Sequence, residues 1–191
     1  MTIRAFIALE IPAAALEKII QIKNDNYNGY ENVRWEPAEK LHITLKFLGD
    51  TEEKLIEKIL GKLSTAVSSY NSLMLSFNEF GIFKREGKPK IFWVGLKPDD
   101  ELKTLALDIE NLCLESGFQK EKREFKPHIT LLRVKGNEDF NALQNLSRLK
   151  FEPVNFSAEK ITFYKSELKK SGSVYTELKS FYLKQGEGNG N

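Results

Sequence analysis

The tetrapeptide His-Ile-Thr-Leu occurs at residues 42–45 and again at 128–131, and the two copies contain both histidines of the 191-residue chain. Each copy alternates a polar with an apolar residue, the period-2 pattern of a half-buried strand. In the first, His42 and Thr44 share a face with Lys46, while Ile43, Leu45 and Phe47 are expected to face a core. In the second, His128 and Thr130 share a face, while Ile129 and Leu131 point inward. Imidazole and hydroxyl then stand about 7 Å apart along each strand. The chain must therefore fold so that two remote strands present the same pair of groups.

The surrounding pattern mixes strands and helices. Residues 4–11 read as a strand, and Pro12 suits the first turn of a helix whose apolar face is Leu16, Ile19 and Ile20. Gly49-Asp50 stops a strand over 41–48, and Asp50 with Glu53 has the spacing of a capping box before a helix carrying Leu55, Ile56, Ile59, Leu60 and Leu63. Strands over 73–83 and 91–96 flank a charged loop at 84–90, expected to be mobile. Asp99 or Asp100 caps a helix with an apolar stripe of Leu102, Leu105, Ile109, Leu112 and Cys113. A strand over 124–134, a short helix over 138–147 and a closing strand pair over 154–166 and 174–183 complete the order. Without a regular βαβ rhythm, this predicts an α+β fold with mainly antiparallel sheet. No Pro/Gly/Ser-rich linker divides residues 1–185, which read as one domain, and the polar tail 186–191 is expected to be flexible. The tetrapeptides lie almost half a chain apart. Two similar lobes, each giving one strand to a shared cleft, is the simplest arrangement.

Composition narrows the chemistry. A net charge of +2 does not suit a protein that coats nucleic acid by bulk charge, yet permits a basic patch around a small anion. The lone Cys113 excludes an intrachain disulfide and a cysteine-based metal site, and on an apolar helical stripe it reads as an inert core residue. This cysteine usage, the lack of a membrane-length apolar run and the short N-terminal apolar segment make the cytoplasm the expected location. No Gly-x-Ser-x-Gly, P-loop or dinucleotide fingerprint occurs. Two imidazoles are too few for a zinc site without a carboxylate or thiol, and neither motif has an acid on its histidine face. No metal and no cofactor are expected.

Two imidazoles and two hydroxyls in one cleft meet the needs of phosphodiester cleavage. An attacking and a leaving oxygen lie in line through phosphorus. One side needs a base and the other an acid, and histidine serves as either near neutral pH. Threonine hydroxyls donate to the non-bridging oxygens as charge builds there.

The motifs and their flanks resemble the two-histidine phosphoesterase superfamily, and within it the RNA 2′,3′-cyclic phosphodiesterase or 2′-5′ RNA ligase branch. The resemblance is carried by Arg4 to Ala8, by Trp35 and the stretch from Leu41 to Gly49, by Ile91 to Leu96, by Phe125 to Leu131 with Arg133, and by Leu168 through Tyr175 to Phe181. It implies a bilobal α+β fold, two mainly antiparallel sheets with flanking helices around a central cleft, related by a pseudo-twofold axis. It implies hydrolysis of RNA 2′,3′-cyclic phosphate ends to a 2′-phosphate without a metal. It makes His42 the proton donor to the departing 3′ oxygen, His128 the proton acceptor from water, and Thr44 and Thr130 the phosphate-binding hydroxyls. From the sequence the two histidines could exchange roles. Arg133 and Lys46 are candidates to steer the phosphate, or else solvated surface charges. Trp35 is a candidate to stack on a base, or else a core aromatic. The expected partner is RNA bearing the cyclic phosphate, with tRNA fragments, short oligomers and cyclic nucleotides all open as its carrier. No membrane and no protein partner are expected. The rival readings are 2′-5′ ligation at the same site and a non-catalytic module that binds RNA ends.

Overall fold

The computed structural model describes residues 2–170 and 172–185, so the expected tail at 186–191 lies outside the described residues. Its elements are β1 (Thr2–Leu9), α1 (Ala13–Asn26), β2 (Ile43–Glu52), α2 (Glu53–Val67), β3 (Leu73–Arg85), β4 (Lys88–Leu96), α3 (Asp100–Glu115), β5 (His128–Arg133), α4 (Phe140–Leu146), β6 (Val154–Ala158), β7 (Lys160–Lys169) and β8 (Gly172–Tyr182). The strands form one sheet in the order β6-β3-β4-β5-β2-β1-β7-β8, antiparallel throughout. The α+β class holds, but the two expected sheets are one. They merge because β2 and β5 pair at a single position, Ile43 opposite Ile129. The two motif strands are thus neighbours at the middle, with three strands outward on each side.

Alternation sorts the sheet's faces. Ile7, Leu9, Ile43, Phe92, Val94, Ile129, Ile161 and Phe163 join the helical stripes of Ile19, Ile59, Leu63, Leu105, Ile109 and Leu143 in one buried cluster. Burying such side chains contributes roughly 1.5–3 kcal/mol each against conformational entropy. The helical layer therefore covers the apolar face, and the motif histidines are left on the other. Asp99 caps α3 by accepting from the Leu102 N–H at 2.7 Å. Cys113 is buried in that helix, and desolvation pushes its thiol up to about 12, as an inert core residue requires. No helix among the described residues is long and apolar enough to cross a membrane.

Several boundaries differ from expectation for identifiable reasons. β2 runs on to Glu52, so Asp50 does not cap α2 and the capping box does not form. The charged segment 84–90 is mostly hairpin: Lys84 pairs with Pro89 and Arg85 with Lys88 around a two-residue turn. That turn holds Glu86 and Gly87 at φ 53° and 73°, the left-handed pair of a tight hairpin. The expected strand 154–166 is two strands, β6 against β3 and β7 against β1, which lie in opposite halves of the sheet.

A bulge follows each histidine motif at the same place. Ile7 pairs with Lys46 but Ala8 with Thr44, which leaves Leu45 as the extra residue. Phe92 pairs with Leu132 but Trp93 with Thr130, which leaves Leu131 extra. A bulge shifts the alternation by one residue. Lys46 and Leu132 therefore turn inward, at 6% and 1% exposure, while Phe47 is 48% exposed and Arg133 also turns outward.

This corrects the expectation for Lys46. It does not share the face of His42 and Thr44. Its Nζ lies 2.7 Å from Glu110 Oε2 on α3 and donates to the Gln119 carbonyl oxygen at 3.0 Å. Phe47, expected in the core, faces the cleft instead. Removing one partner of a buried ion pair leaves the other charge uncompensated. Lys46→Ala should therefore lower unfolding stability in urea by about 3 kcal/mol, and Lys46→Met with Glu110→Leu should recover most of it. An unchanged midpoint for Lys46→Ala would contradict the buried pair.

Candidate active site

The pairing of Ile43 with Ile129 sets the register of the two motifs. Continued one residue each way, it puts His42 across from Thr130 and Thr44 across from His128. All four line one cleft of about 330 Å³, together with Arg4, Phe6, Glu36, Lys40, Phe47, Arg133 and, from β7 and β8, Ser166, Leu168, Ser173 and Tyr175.

Both imidazoles sit in aromatic sockets built by neighbouring strands. His42 stacks on Phe6 of β1, ring centroids 4.9 Å apart, and meets the edge of Tyr175 of β8 at 5.5 Å. His128 meets Phe83 of β3 edge-on at 4.8 Å and Trp93 of β4 at 6.3 Å. The Trp93 indole lies flat over Gly81 and Gly95, where an added Cβ would come within 2.1 and 2.6 Å of its ring. Only glycine at those two positions lets the indole lie against the sheet beside His128.

Each ring is also tethered two residues back. His128 Nδ1 lies 2.7 Å from the Lys126 carbonyl oxygen. A carbonyl only accepts, so Nδ1 carries the proton and Nε2 is the nitrogen left for chemistry. His42 hydrogen-bonds to the backbone of Lys40. Burial dominates both titrations because the aromatic walls exclude water from the imidazolium. It holds His42 down to about 4, with the Lys40 bond opposing the shift and the Arg133 and His128 charges reinforcing it. Burial likewise lowers His128, the Lys126 bond opposing and the Lys126, Arg133 and Arg123 charges reinforcing. Both shifts favour the neutral ring at pH 7.

The cleft has a positive lining. Arg4 lies over the Phe47 ring at 4.7 Å, and Lys40 and Arg133 complete the set. Glu36 is the one acid among the lining residues, and its Oε1 stands 3.3 Å from Arg133 Nε, an ion pair that aims the guanidinium. The Glu36 N–H donates to the Leu131 carbonyl at 2.8 Å, so the bulged residue of β5 anchors this partner. Such a lining favours a small anion beside the imidazoles. Among the described residues no group of three or more His, Cys, Asp or Glu side chains gathers as a ligand set.

The structure brings His42, His128, Thr44, Thr130 and Arg133 together and leaves Lys46 and Trp35 out. Trp35 packs edge-on against Tyr27 at 5.1 Å and Phe92 at 5.9 Å, with Lys23 Nζ 4.3 Å above its ring, an aromatic packing role outside the cleft. Sequence reasoning missed Arg4, Phe6, Glu36, Lys40 and Tyr175 as lining groups. For Arg4 and Phe6 the signal was present, since they alternate with the apolar Ala5 and Ile7.

Comparison with known proteins agrees with this architecture. The sequence model of the 2′-5′ RNA ligase superfamily matches residues 11–170, and the chain belongs to that superfamily. It is 30% identical over 92% of its length to a Thermotoga maritima protein named RNA 2′,3′-cyclic phosphodiesterase, 92% of which is covered. A Bacillus subtilis protein of the same name is 31% identical, with 93% of this chain and 95% of that one aligned. The crystal structure of E. coli LigT complexed with 3′-AMP superposes with a TM-score of 0.73 at 26% identity, covering 97% of this chain and 100% of that one.

The depressed His42 sets an acid sensitivity. Its folded value, about 4, lies below the unfolded value near 6.5, so between these limits the unfolded chain binds more protons. Stability from this group is complete above pH 6.5 and is lost as pH falls toward 4. Wild type should lose more unfolding free energy between pH 7 and pH 4.5 than His42→Leu, measured by urea titration at each pH. Equal losses would contradict the buried neutral ring.

Proposed function

We propose that the chain hydrolyses RNA 2′,3′-cyclic phosphate ends to 2′-phosphates without a metal. The observation that supports this reading is the single positively lined cleft on which both imidazoles and both motif hydroxyls open. The cyclic phosphate sits between the two rings. Thr44 and Thr130 donate hydrogen bonds to its non-bridging oxygens, and Arg133, held by Glu36, compensates the charge that builds on them. His128, whose Nε2 is the free nitrogen, takes a proton from the attacking water. His42 delivers a proton to the departing 3′ oxygen. Each transfer is worth roughly 10²–10⁴ in rate.

The depressed titrations fit this use. A neutral His128 is a competent base at once. His42 must be charged to act, and the bound phosphodiester monoanion beside it restores that charge. Outward from the joint, one half of the sheet runs β2-β1-β7-β8 and the other β5-β4-β3-β6. We read the halves as related by an approximate twofold axis that brings one motif from each half to the phosphorus. The names of the relatives and the 3′-AMP bound to E. coli LigT are consistent with an RNA terminus as substrate. Ligation through a 2′-5′ bond would use the same groups with a ribose 5′-hydroxyl in place of water as the nucleophile that attacks the cyclic phosphate and releases the 3′ oxygen.

Hydrolysis of a short oligonucleotide ending in a 2′,3′-cyclic phosphate, followed in EDTA, tests the proposal. Wild type should turn over, and His42→Ala and His128→Ala should each lose about 10²-fold or more. The kcat profile should be bell-shaped and peak at higher pH than that of kcat/KM, because the bound anion raises both imidazoles. Full activity in either alanine variant, or dependence on added metal, would refute it.

A further inference from the structure

In-line displacement fixes where the nucleoside of the substrate lies. The 3′ oxygen that leaves phosphorus stays on its ribose, so His42, which protonates it, stands on the nucleoside side, and the attacking water enters opposite, beside His128. The wall on the His42 side is the β7–β8 hairpin. Tyr175 meets His42 at 5.5 Å between ring centroids and pairs across the hairpin with Ser166. Leu168 pairs with Ser173 two residues further out, about 7 Å along the strand. All four side chains line the cleft. The hairpin thus offers two rungs on one face, the inner one beside the imidazole and the outer one a step away from it.

Neither rung is satisfied within the protein. Ser166 is 8% exposed, yet its hydroxyl makes no hydrogen bond among the described residues, and the hydroxyls of Ser173 and Tyr175 make none either. Further from the cleft, half-buried polar side chains of the same strands are paired. Thr162 and Ser180 share a hydrogen bond at 3.0 Å, Ser180 donates to Glu177 at 2.7 Å, and Tyr164 donates to Glu10 at 2.7 Å. The unpaired hydroxyls are therefore gathered at the cleft, where a hydroxyl without an internal partner is met by what enters from outside. Beside them Leu168 is an apolar side chain left 72% exposed. None of the four carries a formal charge. Hydroxyls next to an open apolar surface fit a ribose and a base, whereas a phosphate calls for cations.

We propose that the β7–β8 hairpin seats the terminal nucleoside of the substrate, with Ser166 and Tyr175 hydrogen-bonded to the ribose and Leu168 and Ser173 against the base. Leu168 is then a specificity-determining residue, which makes the site prefer a nucleoside 2′,3′-cyclic phosphate to the same cyclic phosphate without a base. This rests on the RNA-end reading of the site and deepens it, since it says which part of the RNA end the protein reads. Leu168 does not touch the reacting atoms. Its contact is the same in the bound substrate and in the transition state, so it acts through binding and not through turnover.

The test measures hydrolysis of adenosine 2′,3′-cyclic phosphate, and of the same ribose cyclic phosphate with hydrogen in place of the base, by wild type, Leu168→Ser and Leu168→Met. The exposed position tolerates both substitutions without loss of the fold. Wild type should favour the nucleotide in kcat/KM by about tenfold or more. Leu168→Ser should reduce that preference about fivefold, through KM, while Leu168→Met keeps it. A preference unchanged in Leu168→Ser, or lost through kcat alone, would overturn the seat. If wild type hydrolyses neither compound, the reading of the site fails instead, and calorimetry with adenosine 2′-phosphate and inorganic phosphate decides the seat. It stands if Leu168→Ser weakens the nucleotide alone, and falls if the two ligands change alike.

Discussion

A single residue pair, Ile43 opposite Ile129, joins the two halves of this sheet, and the site depends on it. Both side chains are fully buried in the common core, so the joint is fixed by packing and its register cannot slip by one residue without turning each motif inside out. Because the strands meet there and diverge on either side, the seam opens into a cleft instead of closing as flat sheet. The bulges at Leu45 and Leu131 finish the arrangement. Each returns the following residue to the core and turns the next one, Phe47 or Arg133, back toward the cleft. Backbone hydrogen bonding thus decides which side chains the cleft receives.

Burial and charge act together at the imidazoles. Aromatic walls from β1, β3, β4 and β8 withdraw both rings from water, and the basic lining disfavours their protonation further. The same cations that disfavour protonation would draw an anion toward the cleft, and on the proposed reading a bound anion reverses the depression. On that reading an imidazolium forms once a phosphodiester is bound beside it. The two rings differ in setting: Lys126 stands over Trp93 beside His128, while the wall of Ser166, Ser173 and Tyr175 on the His42 side carries no formal charge.

The helices and most strands were legible because their apolar periods are uninterrupted. The four motif groups were legible because the tetrapeptide repeats. What was lost can be traced to particular residues. Lys46 was assigned to the cleft because strict alternation ignores a bulge, although the adjacent Leu131 and Leu132 in the second copy break that alternation and signal one. Residues 154–166 were read as one strand, yet Val154, Phe156 and Ala158 are buried at even positions and Ile161 and Phe163 at odd ones. That change of phase marks the break at Glu159. Tyr175 and Glu36 reach the cleft through sheet order and a loop contact, neither of which has a local signature. Trp35 shows the converse: a large aromatic near a histidine motif can serve packing alone.

The central claim is that both imidazoles act on one phosphorus. With only two histidines in the chain, their ring protons give two assignable signals in a proton NMR titration, run without ligand and with a saturating 2′-nucleotide product. The account predicts that both rings titrate below the ordinary histidine value when the cleft is empty and that both move upward when the phosphate is bound. A phosphate that moves one ring and leaves the other in place would contradict it.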